Sequence, residues 1–147
     1  MKYLFVLILS IIGKCYGQFT PTIITEFVEE FIIAKNKPDY SKLEHYLVLR
    51  EDLQSGTVEL VKTYIEDFNN ELSALKDYRI VPRLELHNDL LENKKIIYNG
   101  EGRVFYLVSG NEVKMFFILE NNKIISFFGH FQKRENEMVY PVMLPNL

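Results

Sequence analysis

Few side chains in this sequence are suited to chemistry. His45, His87 and His130 are the only histidines, and Asp39, Tyr40, His45 and Tyr46 gather in one short stretch. Imidazole titrates near neutral pH and serves as a general acid or base, or as a zinc ligand. The three histidines fall on different segments and none has a second ligand at metal spacing, so no metal site is expected. His130 follows Gly129 at the end of an aromatic run. An imidazole there could act as a general acid or base; the competing reading is a strand-end histidine bonded to its own loop. His45 beside a tyrosine is the other acid–base candidate. Asp39 stands where a helix starts, and Ser41-Lys42-Leu43-Glu44 has the spacing of a capping box, which explains Ser41 and Glu44 without catalysis.

The remaining motifs read as structure. Asn99-Gly100-Glu101-Gly102-Arg103 holds a Gly-x-Gly, but a phosphate cradle needs a helix after it and a strand pattern follows here. Glu26, Glu29 and Glu30 form the solvated side of an amphipathic helix and lack the spacing of a calcium loop. No serine lies in a Gly-x-Ser-x-Gly context. No catalytic residue and no cofactor is assigned from motifs.

The elements that must position these groups divide by period. Thr20 caps and Pro21 opens a first helix, with Ile24, Phe27, Val28 and Phe31 on its apolar side and Pro38 beyond its end. A second helix is expected from Ser41 to about Leu53, with Gly56 ending it and Thr57 capping the next. Val58, Val61, Ile65, Phe68, Leu72 and Leu75 alternate steps of three and four, which predicts a long third helix with one buried face. After Asp77 the period becomes two. Strands are expected at 78–87, 96–98, 103–109, 113–120 and 123–131, turning at Ser109-Gly110-Asn111 and Asn121-Asn122. The apolar run 138–144, broken by Pro141 and Pro145, is either an edge strand or a tail over the sheet. The fold expected is α+β: two to three N-terminal helices packed on one face of a curved antiparallel meander of four to five strands.

The N-terminus carries an address. Lys2, an apolar run from Leu4 to Ile12, and the small residues Cys15 and Gly17 read as a signal peptide over 1–17, cut between Gly17 and Gln18. The expected organisation is this leader and a single domain over 18–147, secreted or periplasmic, with no membrane insertion once the leader is gone. A lipoprotein is disfavoured because Lys14 occupies a position that needs a small residue. Without Lys2 and Lys14 the 17 basic residues become 15 against 20 acidic ones, so the net charge of −3 becomes −5. Such a balance gives no footprint for nucleic acid. The only cysteine lies in the leader, so the mature core must hold without disulfides.

Amphipathic helices leading into the apolar meander "VKMFFILENNKIISFF" resemble the nuclear transport factor 2-like and cystatin-like superfamily, in its small exported bacterial form. The resemblance covers roughly Phe19 to Phe131 and implies a sheet bent into a cone, solid or ligand-holding, with dimers through its outer face. Within such a cone His130 would face the mouth near Tyr106, but the resemblance transfers no catalytic residue.

One feature of the meander bears on function. Met115, Phe117 and Leu119 alternate with Phe116 and Ile118, so both faces of this strand are apolar. The helices cover one face. Phe116 and Ile118 then need a second cover, and the candidates are the tail, a two-fold partner or a ligand. The leading expectation is an exported non-enzymatic domain binding a small apolar ligand or a partner protein. The alternatives are a cone-type isomerase, dehydratase or hydrolase using a His/Tyr pair, and a structural or assembly protein of the envelope.

Overall fold

The computed structural model of the chain describes residues 21–49, 55–91, 96, 98–100, 103–127, 141, 143 and 144. The expected leader, the expected 123–131 strand beyond Phe127, His130 and most of the tail lie outside these residues.

The chain is α+β, with helices leading into a four-stranded antiparallel sheet that is not closed. Helix α1 spans Thr22–Phe27 and continues as a π-helical turn, Val28–Ile32. Pro21 sits just before the first turn, one position earlier than expected, and its carbonyl accepts from Ile24 N at 3.0 Å. The wider turn follows from the sequence. Ile23-Ile24, Phe27-Val28 and Phe31-Ile32 are all buried and recur every fourth residue. At 3.6 residues per turn each step of four drifts by about 40°, and a turn closed from i to i+5 absorbs that drift. The bond from Ile33 N to Val28 O, 2.9 Å, closes it.

A 3₁₀ turn at Tyr40–Lys42 leads into α2, Leu43–Tyr46. The second helix is therefore one turn long and does not reach Leu53. A strand at Lys123–Ser126 takes the chain instead: Leu47 bridges Ile124 in parallel, and Val48 N donates to Ile124 O at 3.0 Å. Helix α3 spans Ser55–Leu72, so Gly56 lies inside its first turn and not between two helices. Val61, Ile65 and Leu72 are buried as the spacing predicted, with Phe68 only partly so.

The sheet order is β1-β2-β3-β4, with β1 Arg79–Pro82, β2 Val104–Ser109, β3 Glu112–Glu120 and β4 Lys123–Ser126. The 78–87 strand stops at Pro82, which faces Phe105 at the end of the edge ladder. Proline has no N–H to continue it. A 3₁₀ turn, Arg83–Glu85, and the single-turn α4, Asn88–Leu91, follow. Ile96 and Tyr98 belong to no named strand. Both hairpins turn where expected. Gly110 (φ 56°) opens the first, and Asn121 and Asn122 (φ 49° and 59°) supply the left-handed pair that a two-residue type I′ turn requires.

Two bulges set which side chains face which way. Pairing shifts between Leu107↔Met115 and Val108↔Val113, and between Ile118↔Ser126 and Leu119↔Ile124. Each shift sets two residues against one and resets the alternation. Hence Val113 and Met115, though two apart, lie on opposite faces, as do Ile125 and Phe127.

Both faces are covered. Phe105, Leu107, Met115, Phe117, Leu119, Ile124 and Phe127 pack with α1, α2 and α3 in one core. Val104, Tyr106, Phe116, Ile118 and Ile125 pack with Val81, Leu86, Leu91 and Ile96 in a second, flanked by Leu90, Tyr98 and Met143. Phe116 is 2% exposed and Ile118 fully buried within one chain. Of the covers expected for this strip (the tail, a two-fold partner or a ligand), the tail contributes Met143, while the connection between β1 and β2, which was not among them, packs Leu86, Leu91 and Ile96 against it. Among the described residues no helix is long and apolar enough to cross a membrane.

Candidate functional site

The polar groups that meet do so on the flank of α1. The π turn aims Glu29 and Glu30 sideways along the helix. Glu30 accepts a hydrogen bond from Tyr46 Oη at 2.7 Å and pairs with Lys42. Its carboxyl titrates below the usual range because Lys42 and then Tyr46 donate to the charged form. Burial, and then the Glu30 carboxylate, push the Tyr46 phenol up to about 12. Tyr40 Oη donates to Glu66 of α3 at 3.2 Å and is pushed up to about 12 by burial and by that carboxylate. Tyr78 Oη reaches Glu29 at 3.3 Å and is raised for the same two reasons. Three phenols thus bond three carboxylates, tying the start of α2, the face of α3 and the approach to β1 to one another and to α1.

The sequence candidates separate. Asp39 is a cap: its Oδ1 accepts from Ser41 N at 3.1 Å and Ser41 Oγ at 2.7 Å, and those bonds hold its carboxyl below its ordinary value. His45 is exposed, its ring edge-on to Tyr46 at 4.8 Å. Its carbonyl and that of Glu44 accept from Lys123 Nζ, a cation at the C-terminal end of α2. Tyr106 is fully buried on the opposite face of the sheet, where its Oη accepts from Ile96 N at 3.3 Å. Tyr106 therefore lies across the sheet from α2, and the tyrosine beside His45 is Tyr46. His87 is exposed, and His130 lies outside the described residues. Among the described residues no three His, Cys, Asp or Glu side chains converge as a metal site. At the Gly-x-Gly, Arg103 N closes a turn on Gly100 O at 2.9 Å, and the strand β2 follows.

Chemically the α1 flank is a brace. A phenol near 12 stays protonated at neutral pH and donates, while Glu30 stays ionised and already accepts two donors. Sequence reading assigned Glu29 and Glu30 to water; Glu29 is exposed as expected, but Glu30 is only partly so. The signal that could have corrected this is the step of four in the buried pairs, which requires a wider turn. Asn69 was also missed. Its Nδ2 donates to Phe31 O, Ile32 O and Ala34 O at 3.3, 3.1 and 2.9 Å, satisfying carbonyls that the end of α1 leaves open. Comparison with protein-family models, curated proteins and solved structures returns no match.

Proposed function

We propose that this chain is an exported, non-enzymatic domain that works by binding a partner protein. The observation that carries the reading is the fate of the acid–base candidates: His45 is exposed, while Tyr46 and Tyr106 are buried and bonded within the fold. The two packed cores favour a protein partner at the surface over a small apolar ligand between sheet and helices. Export rests on the 1–17 leader, and membership of the nuclear transport factor 2-like and cystatin-like superfamily rests on helices followed by a meander. Intact mass of the exported protein tests the leader: it should begin at Gln18, and retained Met1 would reject export by cleavage.

Site-specific photo-cross-linking in the producing cell tests the binding reading. Leu84 and Leu60, the large apolar side chains most exposed among the described residues, are the positions for the cross-linker. One discrete heteromeric product at either position is expected. A second arm uses His45→Ala and Tyr46→Phe, each verified as folded, and both should retain the biological activity of the wild type. Loss of that activity in a folded variant, with no cross-linked product, would instead establish the acid–base alternative.

A further inference from the structure

Arg83 is a buried cation with no anion beside it among the described residues. It follows Pro82 at the end of β1 and is 9% exposed. Nη2 donates to Asn88 Oδ1 at 2.9 Å, and Nη1 makes a long bond of 3.4 Å to Leu86 O. Both acceptors are neutral. Nε is closed off from solvent and has no partner among the described residues. The carboxylates next along the chain, Glu85 and Asp89, are exposed, and the ion pairs among the described residues involve Lys42, Lys62, Arg103 and Lys114 instead. A guanidinium cannot shed its proton to escape this position. A buried charge is normally retained beside an opposite one, and leaving it alone is strongly destabilising.

We infer that Arg83 anchors a binding site for a small carboxylate. The free Nε–H and the Nη2–H next to it form the side-on fork that grips the two oxygens of a carboxylate in parallel. Nη2 carries a second hydrogen beyond the one it gives Asn88. Charge selects the anion. A carboxylate neutralises the single positive charge, whereas a phosphate dianion would leave a net negative charge in a buried position. Entry is through the cover itself. The 3₁₀ turn Arg83–Glu85 and α4 are single turns, and Leu84 between β1 and α4 is 71% exposed. Such short elements open locally at little cost. This site goes beyond the partner-binding reading and does not depend on it.

The test follows the Nε–Hε resonance of Arg83 by ¹⁵N–¹H correlation at neutral pH. The wild type is titrated with sodium acetate, with sodium phosphate in a separate arm and sodium chloride at matched ionic strength as the baseline. Acetate should shift this resonance downfield to saturation and raise the thermal midpoint, while chloride does neither. Arg83→Lys keeps the charge but loses the fork, and should weaken acetate binding by about tenfold or more. Arg83→Met should abolish the acetate-dependent rise in midpoint; if that variant does not fold, the wild-type titration and Arg83→Lys decide. A tighter saturable response to phosphate than to acetate would overturn the carboxylate assignment. An Nε–Hε resonance that no anion moves, or equal unsaturated shifts in all three salts, would overturn the site.

Discussion

At the scale of residues, the informative groups are those whose partners explain why they are polar inside an apolar domain. Glu30 is 24% exposed at its side chain and receives donors from α2, so its charge is specified by geometry. Glu30→Gln and Tyr46→Phe should each cost about 1 kcal/mol, after allowing for partial exposure. Their double-mutant cycle should show coupling of at least about 0.5 kcal/mol, because both act on one bond. Additive losses in urea denaturation would mean that the bond contributes nothing in solution. Asn69→Leu should cost more, about 1–3 kcal/mol, since three carbonyls lose their donor together. An unchanged denaturation midpoint would show that water replaces the amide fully.

Elements show where a sequence speaks and where it is overruled. The α3 face was legible because Val61, Ile65 and Leu72 repeat at helical spacing and nothing competes for them. Gly56 misled: glycine marks a boundary by propensity, yet here it sits inside α3 with open space where a Cβ would go. Gly56→Ala should therefore stabilise by up to about 1 kcal/mol, read as a raised thermal midpoint. A lowered midpoint would place Gly56 outside the helix. The overlong second helix has another cause. Local pattern allows Leu47 and Val48 to continue α2, but the open edge of β4 offers them sheet bonds, and Lys123 closes the last turn. The alternation in β3 correctly separated Phe116 from Phe117, but register could not be read past the bulges. Arg83 gave no signal at all, because its burial depends on a turn that the expected strand overran. Phe68 is also less buried than its spacing implied, so Phe68→Ala should destabilise less than Ile65→Ala, for which about 2–5 kcal/mol is expected.

For the whole molecule, the titrations of the α1 flank bound the pH range of the fold. Glu30 has a folded pKa lowered from 4.5, so its contribution is present above that value and lost as pH falls through the folded pKa. Tyr40 and Tyr46 are raised from 10 to about 12, so theirs is complete below pH 10 and lost as pH climbs toward 12. The contribution of these three groups should be flat between the two limbs, and Tyr46→Phe should make the alkaline limb shallower. A limb of unchanged slope would detach Tyr46 from it. The larger issue is the three-layer arrangement, in which one chain covers both faces of its own sheet. Phe116→Asp tests this most directly, followed by urea denaturation and sedimentation of the purified domain. With Phe116 2% exposed inside the outer core, a carboxylate there has no partner. The variant should lose more than about 4 kcal/mol and unfold or aggregate. A variant that stays folded at near wild-type stability, and merely sediments as a smaller species, would contradict the account and make that face an interface between copies.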